Sequence, residues 1–226
     1  MINIVDKEII GGGGNWKVYK GNLLNGNDNP IIIKTNDKIS EHKIDGNIEN
    51  FELTKSLDLP TLRFYEKALF DNNFVIIAEN LNNCSSIYVS PNSVKTIQHQ
   101  QLELLNNKKG IESVTEQKLY NDKISSINNL SSFIENIKKK LYKISTLKIV
   151  LEFDCYFLGI SNQNILDYKI ADFDNIFECE DKSNEECYQI NIDELKRTLT
   201  QYIKYFVVET EHTKLLNIVT NSVNNT

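Results

Sequence analysis

The chain has 226 residues, 40% of them hydrophobic, with 25 Lys and Arg against 31 Asp and Glu for a formal charge of -6. That length supports one sizeable core or two small lobes sharing a cleft, and an acidic balance without a basic arm argues against a general nucleic-acid binder, whose affinity rests on clustered cations. No apolar run approaches the ~20 residues that a membrane-spanning helix needs, and the four cysteines, Cys84, Cys155, Cys179 and Cys187, form neither a CxxC pair nor a set with His at zinc spacing.

With no signal peptide evident, a reducing cytosol is the expected setting; Cys179 and Cys187 are the pair that would close a loop in an oxidising one. Residues 8–34 read as strands around two turns. Ile9 and Ile10 lead into Gly11-Gly12-Gly13-Gly14, Trp16 and Val18 alternate beyond it, and Gly26-Asn27-Asp28-Asn29-Pro30 turns the chain into Ile31-Ile32-Ile33-Lys34. Glycines such as Gly11 and Gly13 let backbone amides approach a polyphosphate with no Cβ in the way, and Lys34 on the paired strand supplies a point charge for it. The plainer alternative is a glycine turn and a surface lysine.

Residues 39–57 carry Ile44, Ile48, Phe51, Leu53 and Leu57 at an approximate helical period that stops before Leu59-Pro60. A carboxylate on this helix could pair with Lys34; Glu49, four before Leu53 and eight before Leu57, shares their side of the helix better than Glu52 does. Strands follow at 61–65 and 74–77, then Ala78-Glu79-Asn80-Leu81.

Residues 84–128 are polar, with a short helix expected near 96–105. From 129 to 148, Leu130, Phe133, Ile134, Ile137, Leu141, Ile144 and Leu147 recur every three or four positions, so an amphipathic helix is expected with Lys138 to Lys140 on its solvated face. Next come Ile149-Val150-Leu151-Glu152-Phe153-Asp154, then Asn164-Ile165-Leu166, then Lys169-Ile170-Ala171-Asp172-Phe173-Asp174. Two short apolar strands thus each deliver an oxygen ligand, Asn164 and Asp172, of the type that holds magnesium on a nucleotide. Residues 178–186 read as an acidic loop, and a helix is expected from Asp193 through Phe206, with Asn191 and Asp193 as candidate N-caps.

The ordered set Gly11-x-Gly13, Val18, Lys34, Glu49, Asp154, Asn164, Asp172 and Asp193 resembles the protein-kinase-like superfamily. The resemblance implies an α+β, bilobal protein-kinase-like fold over residues 1–226. A β-rich N-lobe would span 1–80 and a truncated helical C-lobe 81–226, with ATP and magnesium between them. Val18 would roof the adenine, Glu79 to Leu81 would form the hinge that meets its edge, Asn164 and Asp172 would hold the metal, and Asp154 would be the catalytic base. That base requires a catalytic loop five residues longer than usual, with Glu152 where a His is customary. The pattern departs further: Trp16 stands where a third glycine would fall, Asp174 replaces the Gly after Asp-Phe, and no Ala-Pro-Glu signal is present. Asp193 would anchor the catalytic-loop backbone if it is not simply a cap.

The short C-terminal portion resembles the minimal bacterial effector kinases of the OspG and NleH type. This implies a Ser/Thr protein kinase secreted into a host cell, a host signalling or chaperone protein as substrate, and possible stimulation by a host activator. The alternatives are a pseudokinase scaffold that binds a nucleotide or a host partner, and a small-molecule phosphotransferase.

Overall fold

A computed structural model describes residues 4–12, 17–23, 31–35, 41–70, 73–81, 84–90 and 122–224. Strands β1 (Ile4–Gly12), β2 (Lys17–Leu23), β3 (Ile31–Thr35), β4 (Phe64–Phe70) and β5 (Asn73–Glu79) form one antiparallel sheet in the order β1-β2-β3-β5-β4. Helix α1 (Glu41–Ser56) intervenes between β3 and β4 and forces the crossover that makes β3 pair with β5. Interior strand β5 reads as the continuous run Val75-Ile76-Ile77-Ala78 because all four residues are buried. The expected strand at 61–65 begins instead at Phe64; Thr61 bridges Ile170 in parallel. Gly13, Trp16 and the expected helix at 96–105 lie outside the described residues.

A short β6 (Ile87–Val89) leads towards the second half. There α2 (Leu130–Ser145) buries Leu130, Phe133, Ile134, Ile137, Leu141 and Ile144, the stripe its periodicity demands. Lys148, at φ 60°, reverses the chain after that helix into β7 (Ile149–Leu151). Then come β8 (Tyr156–Ile160), β9 (Leu166–Ile170) and β10 (Ile176–Glu178), giving a β6-β8-β9 sheet and a β7-β10 pair, all antiparallel. Helices α3 (Asn184–Phe206) and α4 (Glu209–Asn224) close the chain. One continuous apolar core runs from Ile44, Phe51 and Ile76 through α2 and the β8-β9 hairpin to Leu199, Leu215 and Val219. The fold is therefore mixed α and β with antiparallel sheets, and no helix among the described residues is long and apolar enough to cross a membrane.

Three sequence expectations change here. Helix α3 starts nine residues before Asp193, because Ser183 and Glu186 form a reciprocal capping box inside the segment read as an acidic loop. Asp193 is an exposed mid-helix residue that accepts from Gln189 Nε2 at 3.1 Å. Lys138 is buried at 7% exposure, donating to Ser222 O at 2.8 Å, and so fastens α2 to α4 instead of facing water. All four cysteines are free thiols.

Candidate functional site

The β8-β9 hairpin organises the site. Its register runs from Tyr156↔Ile170 at one end to Ile160↔Leu166 at the other. Asp172 leaves the first end and Asn164 sits in the turn beyond the second. Residues 156–160, read above as part of a stretched catalytic loop, are β8, and residues 161–165 are the hairpin turn. Four strand steps of about 3.3 Å put roughly 13 Å between the two ends, whereas two ligands of one magnesium lie within about 4 Å of each other. Asn164 therefore cannot share a cation with Asp172. It adopts the left-handed conformation, φ 59°, that Asn tolerates in turns. Its amide donates to Ser125 Oγ at 3.3 Å and Ser126 Oγ at 3.1 Å.

At the other end two tight 3-10 turns meet, Phe153–Cys155 and Phe173–Asn175. Ala171 N–H donates to Cys155 O at 3.0 Å, Glu152 N–H to Asn175 O at 3.1 Å, and the Cys155 thiol to Asn175 O at 2.9 Å. Cys155 is fully buried. Burial pushes its thiol well up, and the Asp172, Glu152 and Asp154 carboxylates push it further. The backbone turns at Asp154 and Asp172 are thus tied to each other.

Helix α1 lies against this junction. Phe51 meets Phe173 edge-on, with ring centroids 5.7 Å apart, and also packs on Phe64. Asn50 Nδ2 donates to Phe173 O at 2.9 Å and Ile176 O at 3.2 Å, while Asn47 Nδ2 donates to Asp174 Oδ1. The inward face of α1 is Ile44, Asn47, Phe51 and Thr54. Glu49 is exposed on the other side, which corrects its expected inward orientation. The phase had been set by Leu53 and Leu57, but Leu53 is only partly buried and Leu57 lies past the helix end, where helical phase no longer applies. The Lys34 side chain lies outside the described residues.

In the large sheet one cross-strand row runs Gly11, Val18, Lys34, Ile76, which aligns three of the expected nucleotide-binding positions along the backbone. Val18 is half-buried. At the expected hinge, Glu79 N–H donates to Arg63 O at 2.8 Å and Leu81 C=O accepts from Cys84 N–H at 3.2 Å, so both groups already have partners. The Glu79 carboxylate binds Lys169 Nζ at 2.6 Å, Arg63 N–H at 3.1 Å and the Cys84 thiol at 3.4 Å. Burial opposes its charge, but these donors together hold it below the usual carboxylate range.

Sequence reasoning missed Asn191 and Glu194 as organisers. Fully buried Asn191 accepts from Leu151 N–H and donates to Ile149 O and Ser145 Oγ, each at 2.9 Å. Glu194 accepts from Phe153 N–H at 3.1 Å. They do for the segment ahead of Asp154 what Asp193 was expected to do. The Arg197 guanidinium lies over the Phe153 ring at 3.6 Å.

Among the described residues no group of three or more His, Cys, Asp or Glu is arranged to hold a metal alone. Magnesium on a nucleotide needs only one or two protein carboxylates, with phosphate and water oxygens completing its shell. Asp172 and Asp154, hard oxygen donors at adjoining turns, fit that demand, and Asn164 does not. The chain matches no protein-family model and no curated protein.

Proposed function

We propose that the chain is an ATP- and magnesium-dependent phosphotransferase of the protein-kinase kind, acting on a Ser or Thr hydroxyl of a protein. The observation that carries this is the meeting of the Asp154 and Asp172 turns around Cys155, directly against α1 and beside the antiparallel sheet. The strand order β1-β2-β3-β5-β4, with a helix between β3 and β4, supports a bilobal arrangement with an N-lobe over 1–80 and a C-lobe over 81–226.

In this proposal Gly11, Gly13 and Lys34 receive the phosphates, and Asp172 ligates the cation, which neutralises charge on the transferring phosphoryl group. Asp154 orients the acceptor hydroxyl and takes its proton. Asn164 and Glu49 have no part in it. Host delivery, a host substrate and a host activator remain proposals on the resemblance to effector kinases.

A scaffold without transfer is the second reading, and one observation favours it. The inward place on α1 is held by Asn47, bonded to Asp174, so the carboxylate expected to hold Lys34 is missing from that face.

The test is transfer of the γ-phosphoryl of radiolabelled ATP to proteins of a eukaryotic lysate. Wild type should label acceptors; Lys34→Ala and Asp172→Ala should lose at least about a hundredfold, the scale of removing one electrostatic stabiliser. Asp154→Asn should bind nucleotide normally and transfer nothing, since an amide can ligate but cannot accept a proton. Nucleotide binding without transfer by wild type would leave the scaffold.

A further inference from the structure

Strand β9 is the outer strand of its sheet, and its free edge is closed at two places and open at one. At Ile170 both backbone groups turn away from β8: the N–H donates to Pro60 O and the C=O accepts from Leu62 N–H, each at 2.8 Å. At Leu166 they turn outward again, where the Asn129 side chain plays the part of a neighbouring strand. Asn129 Oδ1 accepts from Leu166 N–H at 2.8 Å and its Nδ2 donates to Leu166 O at 2.8 Å. An antiparallel ladder alternates bonded and non-bonded pairs. Tyr168, two residues from each, therefore turns its N–H and C=O to the same outer edge. Neither group has a partner among the described residues.

Tyr168 also lines a cleft of about 370 Å³, together with Pro60, Ser132, Phe133 and Asn136. Tyr168 is 9% exposed, and its phenol oxygen also has no hydrogen-bond partner among the described residues. Buried backbone polar groups are nearly always paired. A peptide strand is a poor occupant: it would have to bond at positions 166, 168 and 170 in turn, and both outer positions are already filled. The volume falls in the range of small-molecule sites, and the lining sets apolar Pro60, Phe133 and Ile137 beside polar and charged side chains such as Asn136 and Lys169.

We propose that this cleft binds a small planar molecule with a cis-amide edge, a lactam or carboxamide whose C=O accepts from Tyr168 N–H and whose N–H donates to Tyr168 C=O. The Phe133 and Pro60 walls cover its faces. Ser132 and Asn136 of α2 lie along its rim, as does Lys140, whose ammonium is held 3.5 Å from Asp58. The site is separate from the Asp154 and Asp172 junction and does not depend on the chain being a kinase.

The test uses the full chain labelled with ¹⁵N only at its ten tyrosines. The Tyr168 amide resonance is identified as the one that disappears in Tyr168→Phe. Titration with 2-pyridone should move that resonance downfield. N-methyl-2-pyridone, which lacks the donor, should bind about tenfold more weakly, the value of one neutral hydrogen bond. Asn136→Trp, which fills the cleft from an exposed helical position, should abolish the shift, while Lys139→Trp, exposed and outside the cleft lining, should leave it. No movement of the Tyr168 amide, an equal response to both pyridones, or a shift that survives Asn136→Trp would each overturn the proposal.

Discussion

Gly159 shows how one residue shapes the hairpin. A Cβ at this position would run into Asp167 Oδ1 and lie 2.6 Å from the Tyr88 ring. The missing side chain thus admits a carboxylate whose other oxygen accepts from Tyr88 Oη at 3.0 Å and Ser86 Oγ at 3.2 Å. Gly159→Ala should destabilise the fold by about 2 kcal/mol, the usual cost of overpacking, read as a lower urea midpoint with unchanged slope. At the same scale, Asn164 illustrates why residue type misleads. Asn is a plausible metal ligand and an equally good left-handed turn residue, and only the strand on each side of it decides between the two.

Elements with a strong period were legible from their residues. The stripe from Leu130 to Ile144 is α2, Ile31 to Ile33 and Val75 to Ala78 are paired strands, and Lys169 to Ile170 ends β9 just before Asp172. What was misread had competing signals. Tyr156-Phe157-Leu158-Gly159-Ile160 carries strand-forming residues with a turn behind it, while the spacing of Asn164 from Asp154 in the kinase pattern points to a loop there. The acidic first turn of α3 has the composition of a loop and hides the helix start, although Ser183 and Glu186 are spaced as a capping box. Asn191 was invisible as a tether, since nothing in a helical sequence marks which polar residue meets a buried strand. Asn191→Ala removes three hydrogen bonds that join α3 to Leu151, Ile149 and Ser145, leaving buried groups without partners. The expected cost is about 3 kcal/mol by denaturant unfolding; a change within experimental error would mean that the tether is dispensable.

Across the whole molecule, Glu79 joins the large sheet to the hairpin through Lys169. Its carboxyl is held below its unfolded value, so its contribution to stability is fully present above the unfolded carboxylate pKa and is lost as pH falls through the lower folded value. Glu79→Gln should lower stability at neutral pH and flatten its decline in acid, measured as urea midpoints from neutral pH downward. An unchanged acid slope would show that other carboxylates set it. The joint also keeps the Asp172 end of the hairpin beside α1, whose Asn50 and Phe51 grip residues 173–176. In the proposed function a nucleotide-bound magnesium is held at this end and not at the Asn164 turn. Calorimetric titration of ATP with and without magnesium, on Asn164→Ala beside Asp172→Ala, tests it most directly. Wild type and Asn164→Ala should both gain affinity for ATP when magnesium is added, and Asp172→Ala should not; loss of the gain in Asn164→Ala with retention in Asp172→Ala would contradict the assignment.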